Sequence, residues 1–314
     1  MTNRTPLGRA RGALLGLACG DALGRPVEFR TADDIEREHG RVTEMLGNGT
    51  WHQPAGTITD DTEMALCIAR SLAERGSFAP TDVADRFVAW YESGPFDVGN
   101  MTADAIRNLQ DGVAPDEAGE MVWHARPEGK NAGNGSVMRC VPYALAFHDD
   151  LDSLDRASRR SSAITHADPR CRAGCAVLNR TVAGLLTGDG DEDPYAPLRG
   201  ALDATDVPDD LRAALEPVAR GERPGHLRST GYVVDTLQTA LWLALSAESA
   251  EVAIVDAVNM GGDADTVGAV TGAVAGARFG AEALPERWLA EIDEREELWE
   301  SATTLYETAF PAVA

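Results

Sequence analysis

Positive charge is scarce in this chain of 314 residues, and lysine is almost missing. The sequence has 28 basic residues against 51 acidic ones, a formal net charge of −23, and its single lysine is Lys130. A protein that binds nucleic acid needs a basic face for the phosphates, so nucleic acid is excluded as an expected partner. The acidic, arginine-retaining composition favours a halophilic protein in a cytoplasm of high salt, with an acidic mesophilic protein as the alternative.

Long apolar runs and alternating patterns are missing as well. No stretch of 18 residues is both uncharged and apolar, so neither a membrane span nor a membrane partner is expected. Residues 41–46 are the one weak candidate for a strand. The N-terminus has the basic start of a signal peptide, but Gly16, Gly20 and Asp21 interrupt its apolar part, so we expect a mature cytoplasmic protein.

The sequence has too few cysteines to build a disulfide framework. The five cysteines are odd in number and lack metal-ligand spacing, although Cys171 and Cys175 lie one helical turn apart. Both are surrounded by apolar residues, so we expect reduced thiols in the core. A chain of this length buries enough surface to fold without disulfides or a structural metal.

The chain does contain apolar residues at helical spacing. Apolar residues recur at three- and four-residue spacing in many segments, for example at Met64, Ile68 and Leu72. Asp168-Pro169 is typical of an N-cap and first turn of a helix, which should end near Gly188. The pattern predicts an all-α fold of ten or more helices, in a single domain over residues 1–314. The acidic stretch 188–226 is interpreted as a surface excursion of that domain, with a linker as the alternative.

One helix carries glycine at every fourth position, Gly268, Gly272 and Gly276. A glycine in a helix interior costs about 1 kcal/mol relative to alanine, so three on one face indicate a closely approaching neighbour. The helix is too short, and too near charged residues, for this spacing to mark a membrane span. We predict that this helix is central and that its start is fixed in space.

Two short acidic segments lie where a loop runs into an apolar helix. They consist of Thr59, Asp60 and Asp61 in the first and of Asp263, Asp265 and Thr266 in the second. Helix capping explains one such residue per helix, but not two acids and a threonine at both places. Carboxylate and hydroxyl oxygens are the ligands that Mg²⁺ and Mn²⁺ prefer.

Glu28 adds a fifth carboxylate, seven residues after Asp21 in a loop that contains glycine and proline. If all five converged without metal, they would repel one another and raise each other's pKa values. Two divalent cations would nearly balance their charge. The set therefore indicates a centre for two ions, Mg²⁺ or Mn²⁺, of the kind that activates water and holds substrate oxygens.

A Gly-Asn-Gly segment, residues 133–135, precedes an apolar pattern that predicts a helix. The positions of that pattern are Val137, Val141 and Leu145. Free N–H groups at the start of a helix are a candidate cradle for a pyrophosphate, with a simple turn as the alternative. His166 by itself is interpreted as a helix-end histidine bonded to the backbone.

Five motifs together resemble the ADP-ribosylglycohydrolase family. In chain order they are GALLGLACGDALGRPVEF, TDDTEMAL, GNGSVMR, ITHADPR and GGDADTVGAVTGAVAGA. Each motif is short, but the ordered set is specific and extends from about Arg9 to Phe279. The chain looks most like the branch that includes dinitrogenase reductase-activating glycohydrolase. The resemblance implies a single-domain, orthogonal multi-helix fold and an enzyme that hydrolyses the bond between ADP-ribose and its acceptor.

The resemblance also implies site residues and a dinuclear Mg²⁺ or Mn²⁺ centre. The first ion would be held by Thr59, Asp60, Asp61 and Asp265, and the second by Glu28, Asp263, Asp265 and Thr266. Glu28, Asp60 and Asp61 are the candidate catalytic residues that orient water or take its proton. ADP-ribose would lie against Gly133, Asn134, Gly135, Ser136 and His166.

Asp97 lies in a segment, residues 94–100, that resembles a loop of arginine-specific relatives. This favours protein arginine as the acceptor, while the alternative interpretation of Asp97 is a turn residue. Other open alternatives are hydrolysis of O-acetyl-ADP-ribose or serine-linked ADP-ribose, a non-catalytic ADP-ribose-binding relative, and a generic metal phosphohydrolase. The expected partner is an ADP-ribosylated protein or a small ADP-ribose conjugate, and the chain is expected to be a monomer.

If the acidic surface is an adaptation to salt, stability should depend on salt. We expect the melting temperature to rise from low millimolar to molar salt, because screening weakens repulsion among the 51 acidic side chains. Thermal unfolding at a series of KCl concentrations measures this. A melting temperature that does not change over the series would contradict the halophile hypothesis.

Overall fold

Helices account for nearly all of the regular structure. The computed structural model describes residues 5–188 and 192–313, and within them we find sixteen α-helices. They are α1 Pro6–Gly24, α2 Ala32–His39, α3 Asp60–Arg75, α4 Pro80–Glu92, α5 Asn100–Gln110, α6 Pro115–Ala125, α7 Pro142–Ala146, α8 Leu151–Ala163, α9 Pro169–Thr187, α10 Ala196–Ala204, α11 Asp209–Ala219, α12 Val233–Ser246, α13 Ala250–Val258, α14 Ala264–Phe279, α15 Glu286–Leu289 and α16 Arg295–Glu307. Two 3₁₀ turns, Arg25–Val27 and Ala281–Ala283, follow α1 and α14. The all-α prediction is confirmed.

The candidate strand at residues 41–46 was wrong, because the segment is a loop. Its backbone groups find a side chain instead of a neighbouring strand. The amide of Asn259 accepts from the Val42 N–H at 2.8 Å and donates to the Val42 carbonyl at 2.9 Å. One asparagine thus satisfies the groups that a strand would have paired.

One hydrophobic core runs from Ala10 to Val313. The acidic excursion belongs to it, since α10 packs on α9 and α11 packs on α12, although residues 189–191 lie outside the described part. Helix α9 begins with an Asp168 cap and ends at Gly188, as predicted. The five cysteines are buried and free, which also agrees with prediction. No described helix is long and apolar enough to cross a membrane.

Helices α1 and α14 form the centre of this core, and their backbones touch. A Cβ added to Gly268, Gly272 or Gly276 would lie 2.5, 1.9 or 1.9 Å from the carbonyl oxygens of Gly20, Gly16 and Gly12. The predicted close approach is confirmed. Its partner is a second glycine series that α1 carries at the same four-residue spacing: Gly12, Gly16, Gly20 and Gly24.

We predict that Gly272→Ala destabilises the fold by about 3 kcal/mol, because the added methyl group meets backbone that cannot move aside alone. The matched control is Gly200→Ala in α10, where nothing lies within 4 Å of the added atom. This second change should stabilise by about 0.5–1 kcal/mol, as expected for alanine over glycine in a helix. Urea unfolding of both variants measures the difference, and equal effects would contradict the backbone contact.

Candidate active site

A cavity of about 770 Å³ opens among the loops that precede α3, α5 and α14. Carboxylates line one part of it, and they belong to Glu28, Asp60, Asp97, Asp263 and Asp265. Gly133, Gly135, His166 and Tyr232 line another part. All five sequence motifs therefore meet around a single space.

The start of α3 is held by a buried carboxylate of α1. Asp21 is fully buried, and it accepts hydrogen bonds from the backbone N–H and the hydroxyl of both Thr59 and Thr62. Thr59 caps α3 through a bond from the Asp61 N–H to its hydroxyl oxygen. These bonds place Asp60 and Asp61 in the first turn, where the helix dipole favours negative charge.

The start of α14 depends on two glycines with left-handed backbone. Gly261 and Gly262 have φ of 66° and 65°, and a Cβ on either would lie 2.2 Å from a neighbouring carbonyl oxygen. The Gly262 carbonyl accepts from the Phe29 N–H at 2.6 Å, and the Gly262 N–H donates to the Arg30 carbonyl at 2.8 Å. This pairing draws the Glu28 loop against the loop that carries Asp263 and Asp265.

The residues predicted to bind metal are thereby brought together. The Thr266 hydroxyl lies 3.3 Å from Asp61 Oδ2, which links the starts of α3 and α14. Carboxylate oxygens of Glu28, Asp97 and Asp265 lie within 4.8 Å of one another. Asp97, which the resemblance placed beside the substrate, is thus close enough to share a cation with the other two.

The carboxylates repel one another and are buried. Burial, and then repulsion from neighbouring acids, raises the pKa of Asp60, Asp61 and Asp265 well above the ordinary value. The same causes raise the pKa of Glu28 to about 8 and that of Asp97 to about 7. Clustered acids of this kind are typical of sites that need a cation.

The donor set fits hard divalent cations. Asp61 Oδ1 is buried without a hydrogen-bond partner, so one oxygen of the predicted ligands is available for an ion. The ligand atoms around it are carboxylate and hydroxyl oxygens, which suit Mg²⁺ or Mn²⁺ better than softer metals. No positively charged side chain of the described residues lies within salt-bridge distance of the five acids.

The helix expected after the Gly-Asn-Gly segment was wrong. Residues 135–139 form a turn, and α7 starts only at Pro142. Proline has no N–H to donate and its ring clashes with the carbonyl four residues earlier, so a helix cannot run through this position. The Asn134 N–H is also not free, because it donates to the Gly231 carbonyl at 3.1 Å.

Residues 134–136 each contact a different neighbour. Asn134 Nδ2 donates to Asp263 Oδ2 at 2.6 Å, which fixes one of the predicted metal ligands. Ser136 is buried, and its hydroxyl accepts from Ser162 at 2.9 Å, one layer behind the cavity. Gly135 leaves room for the His166 ring, since a Cβ there would lie 2.8 Å from His166 Cε1.

His166 is a neutral ring at the cavity wall. Burial, and then the charges of Arg139 and Arg126, lowers its pKa to about 3. Thr165 Oγ1 accepts from Arg139 Nη2 at 2.6 Å and lies 2.7 Å from His166 Nδ1. We assign the hydroxyl proton to Nδ1, which leaves the ring proton on Nε2, the nitrogen beside Gly133.

Sequence reasoning missed three residues that support the site. Asp21 could have been recognised, because it is a charged residue between the glycines of an apolar helix. It was used only as an argument against a signal peptide. Arg25 is buried and donates to the carbonyls of Leu46, Asn48, Pro54 and Thr57. Trp51 Nε1 donates to Glu28 Oε2 at 2.6 Å, a contact that no local pattern reveals.

Asp21 and the hydrogen bonds that it accepts from Thr59 and Thr62 are called the Asp21 clamp below. We predict that this clamp controls the affinity of the site for cations. Thr62→Val removes one of its donors from a buried position, so the α3 start should loosen and the dissociation constant for Mn²⁺ should rise by about tenfold or more. Thr62→Ser keeps the donor and is the matched control. Calorimetric titration of the metal-free chain measures both, and an unchanged affinity in the valine variant would contradict a role for the clamp.

Comparisons with known proteins agree with this geometry. The sequence model of the ADP-ribosylglycohydrolase family matches residues 2–312. The ADP-ribosyl-[dinitrogen reductase] glycohydrolase of Rhodospirillum rubrum is 36% identical over 95% of this chain and 94% of its own length. The ADP-ribosylarginine hydrolase Tri1 of Pseudomonas putida is 33% identical over 98% of this chain and 81% of its own length.

A more distant relative and a solved structure indicate the same family. The ADP-ribosylhydrolase ARH3 of Bos taurus is 26% identical over 93% of this chain and 90% of its own length. A solved chain from an "ADP-ribosylglycohydrolase-related protein complex" has a TM-score of 0.81 and 37% identity, and covers 97% of this chain and 99% of its own. This chain belongs to the ADP-ribosylglycohydrolase family.

Proposed function

We propose that this protein hydrolyses the glycosidic bond between ADP-ribose and an arginine side chain, with two divalent cations, Mg²⁺ or Mn²⁺, at the acidic cluster. The observation that carries the proposal is the convergence of Glu28, Asp97 and Asp265, with oxygens within 4.8 Å, at one part of a 770 Å³ cavity. Two relatives, the ADP-ribosyl-[dinitrogen reductase] glycohydrolase and the ADP-ribosylarginine hydrolase, support the same substrate class.

The cations would be held by the residues that the family resemblance assigns. One ion would bind Thr59, Asp60, Asp61 and Asp265, and the other Glu28, Asp263, Asp265 and Thr266. When bound, ions of this kind orient oxygen ligands such as ribose hydroxyls and make water more acidic.

Glu28 and Asp60 are the better placed of the candidate bases. Both line the cavity, while Asp61 lies below it with Oδ2 next to Thr59 and Thr266. The Trp51 N–H occupies Glu28 Oε2, which leaves Oε1 to take a proton from the attacking water. Attack occurs at an anomeric carbon with oxocarbenium character, so an oriented carboxylate nearby stabilises the developing positive charge.

The ADP-ribose moiety would lie against the part of the cavity away from the carboxylates, which Arg126 and Lys130 also line. His166 offers Nε2–H there, and Gly133 and Gly135 have no side chains, which leaves room for the His166 ring. Hydrogen-bond donors and these two positive charges suit a diphosphate, because local interactions must offset the repulsion from a net charge of −23.

Asp97 would select arginine as the leaving group. A guanidinium presents a planar fork of N–H donors, and a carboxylate accepts two of them at once. Such a bond contributes about 1.5–3 kcal/mol, or roughly tenfold to a hundredfold in affinity. Serine and acetyl leaving groups gain nothing from it, although the likeness to ARH3 keeps those linkages as the second candidate.

The test is a panel of arginine-, serine- and acetyl-linked ADP-ribose, each incubated with wild type and with Asp97→Asn. We expect wild type to release ADP-ribose from the arginine conjugate, and chelator to abolish release reversibly. In Asp97→Asn, kcat/KM for the arginine conjugate should fall by about tenfold or more, with little change for O-acetyl-ADP-ribose.

Equal losses on both substrates would mean that Asp97 is not the arginine-selective residue. Full activity of metal-free protein would contradict the two-cation centre. Release of phosphate in place of ADP-ribose would instead favour a phosphohydrolase.

A further inference from the structure

Phe29 has a conformation and an exposure that the fold does not require. Its φ of 63° is left-handed, a region that disfavours large side chains, and its side chain is 65% exposed. The backbone bond from its N–H to the Gly262 carbonyl explains the left-handed turn. Glycine or asparagine would make that turn at lower cost, so the aromatic ring itself needs an explanation.

The ring belongs to a row of three aromatic side chains at the acidic part of the cavity. The Trp51 ring centroid lies 6.3 Å from that of Phe29 and 5.9 Å from that of Phe96. The interplanar angles are 67° and 52°, so these rings do not stack face to face. Phe29 follows Glu28 in the chain and Phe96 precedes Asp97, which places the row beside the carboxylates. We call Phe29, Trp51 and Phe96 the aromatic rim.

The rim is rigid. Its Trp51 loop is held from below by the four bonds that the buried Arg25 donates to carbonyl groups between Leu46 and Thr57. The Thr50 hydroxyl donates to the Glu28 carbonyl at 2.7 Å, and the Trp51 N–H donates to the Glu28 side chain. A preorganised aromatic surface loses little entropy when it binds a ligand.

An arginine side chain has the chemistry that matches this surface. The edge of its guanidinium donates to carboxylates, and its weakly hydrated faces stack on aromatic rings. Asp97 offers an acceptor beside rings that can cover the faces and the aliphatic stem. A serine or acetyl group has neither a cationic plane nor a long stem to cover.

We propose that the aromatic rim binds the arginine side chain of the ADP-ribosylated target, with Phe29 covering its stem at the cavity mouth. This rests on the proposed function, because it names the surface that receives the leaving group of that reaction. The rim is a specificity surface, and its residues do not touch the reacting bond.

The experiment uses Phe29→Gly, Phe29→Tyr and Met121→Ala with an ADP-ribosylarginine peptide. Glycine suits the left-handed position, so this variant should melt no lower than wild type. Its KM for the peptide should rise about tenfold with kcat changed less than about twofold, as expected when the apolar contact between the ring and the arginine stem is lost. Tyrosine keeps the ring and should restore KM. Met121 is 51% exposed in α6, outside the cavity, and its variant controls for loss of exposed apolar surface.

Inhibition by free ADP-ribose separates the rim from the rest of the site, since free ADP-ribose carries no arginine. Its inhibition constant should be the same in Phe29→Gly and wild type. An unchanged KM in the glycine variant, or an equal weakening of ADP-ribose inhibition, would overturn the rim proposal alone. A wild type that cleaves only serine or acetyl conjugates would overturn the proposed arginine specificity as well.

Discussion

The backbone contact between α1 and α14 is the constraint on which the rest of the structure depends. The glycines at the crossing have no side chains, so the two helices lie very close together. Carbonyl groups of each helix occupy the space where Cβ atoms of the other would lie. The contact continues to Gly24, where an added Cβ would meet Ala264 and Asp265 of α14 at 2.3–2.6 Å. The same turn of α1 carries Asp21, which holds the start of α3. One helical turn therefore positions both acidic loops against each other.

This arrangement gathers carboxylates that form no salt bridge with a basic side chain in the described part of the chain. Buried carboxylates repel one another and lose hydration, which lowers the free energy of unfolding unless other interactions offset it. The core around α1 and α14 supplies the stabilising apolar burial, and the bonds of Asp21 and Arg25 keep the loops from relaxing apart. The site is thus held in an unfavourable electrostatic state that a pair of cations would relieve.

Features that depend only on a short segment of the chain could be predicted from the sequence. The Asp168 cap of α9, the glycine series of α14 and the two acidic helix starts are of this kind, and each lies where it was predicted. Features that depend on distant partners could not. The loop at Val42 is paired by Asn259, more than 200 residues away, and Trp51 reaches Glu28 across a folded loop. The interrupted helix after residue 135 was predictable in principle, because Pro142 stood inside the apolar pattern.

We propose that α1 aligns the starts of α3 and α14 into a centre for two cations. Crystals grown with Mn²⁺, and diffraction data collected at the manganese absorption edge, test it most directly. The account predicts two anomalous peaks about 3.5–4 Å apart, between Asp61 and Glu28 with Asp265 shared by both. A single peak, or peaks away from these carboxylates, would contradict it.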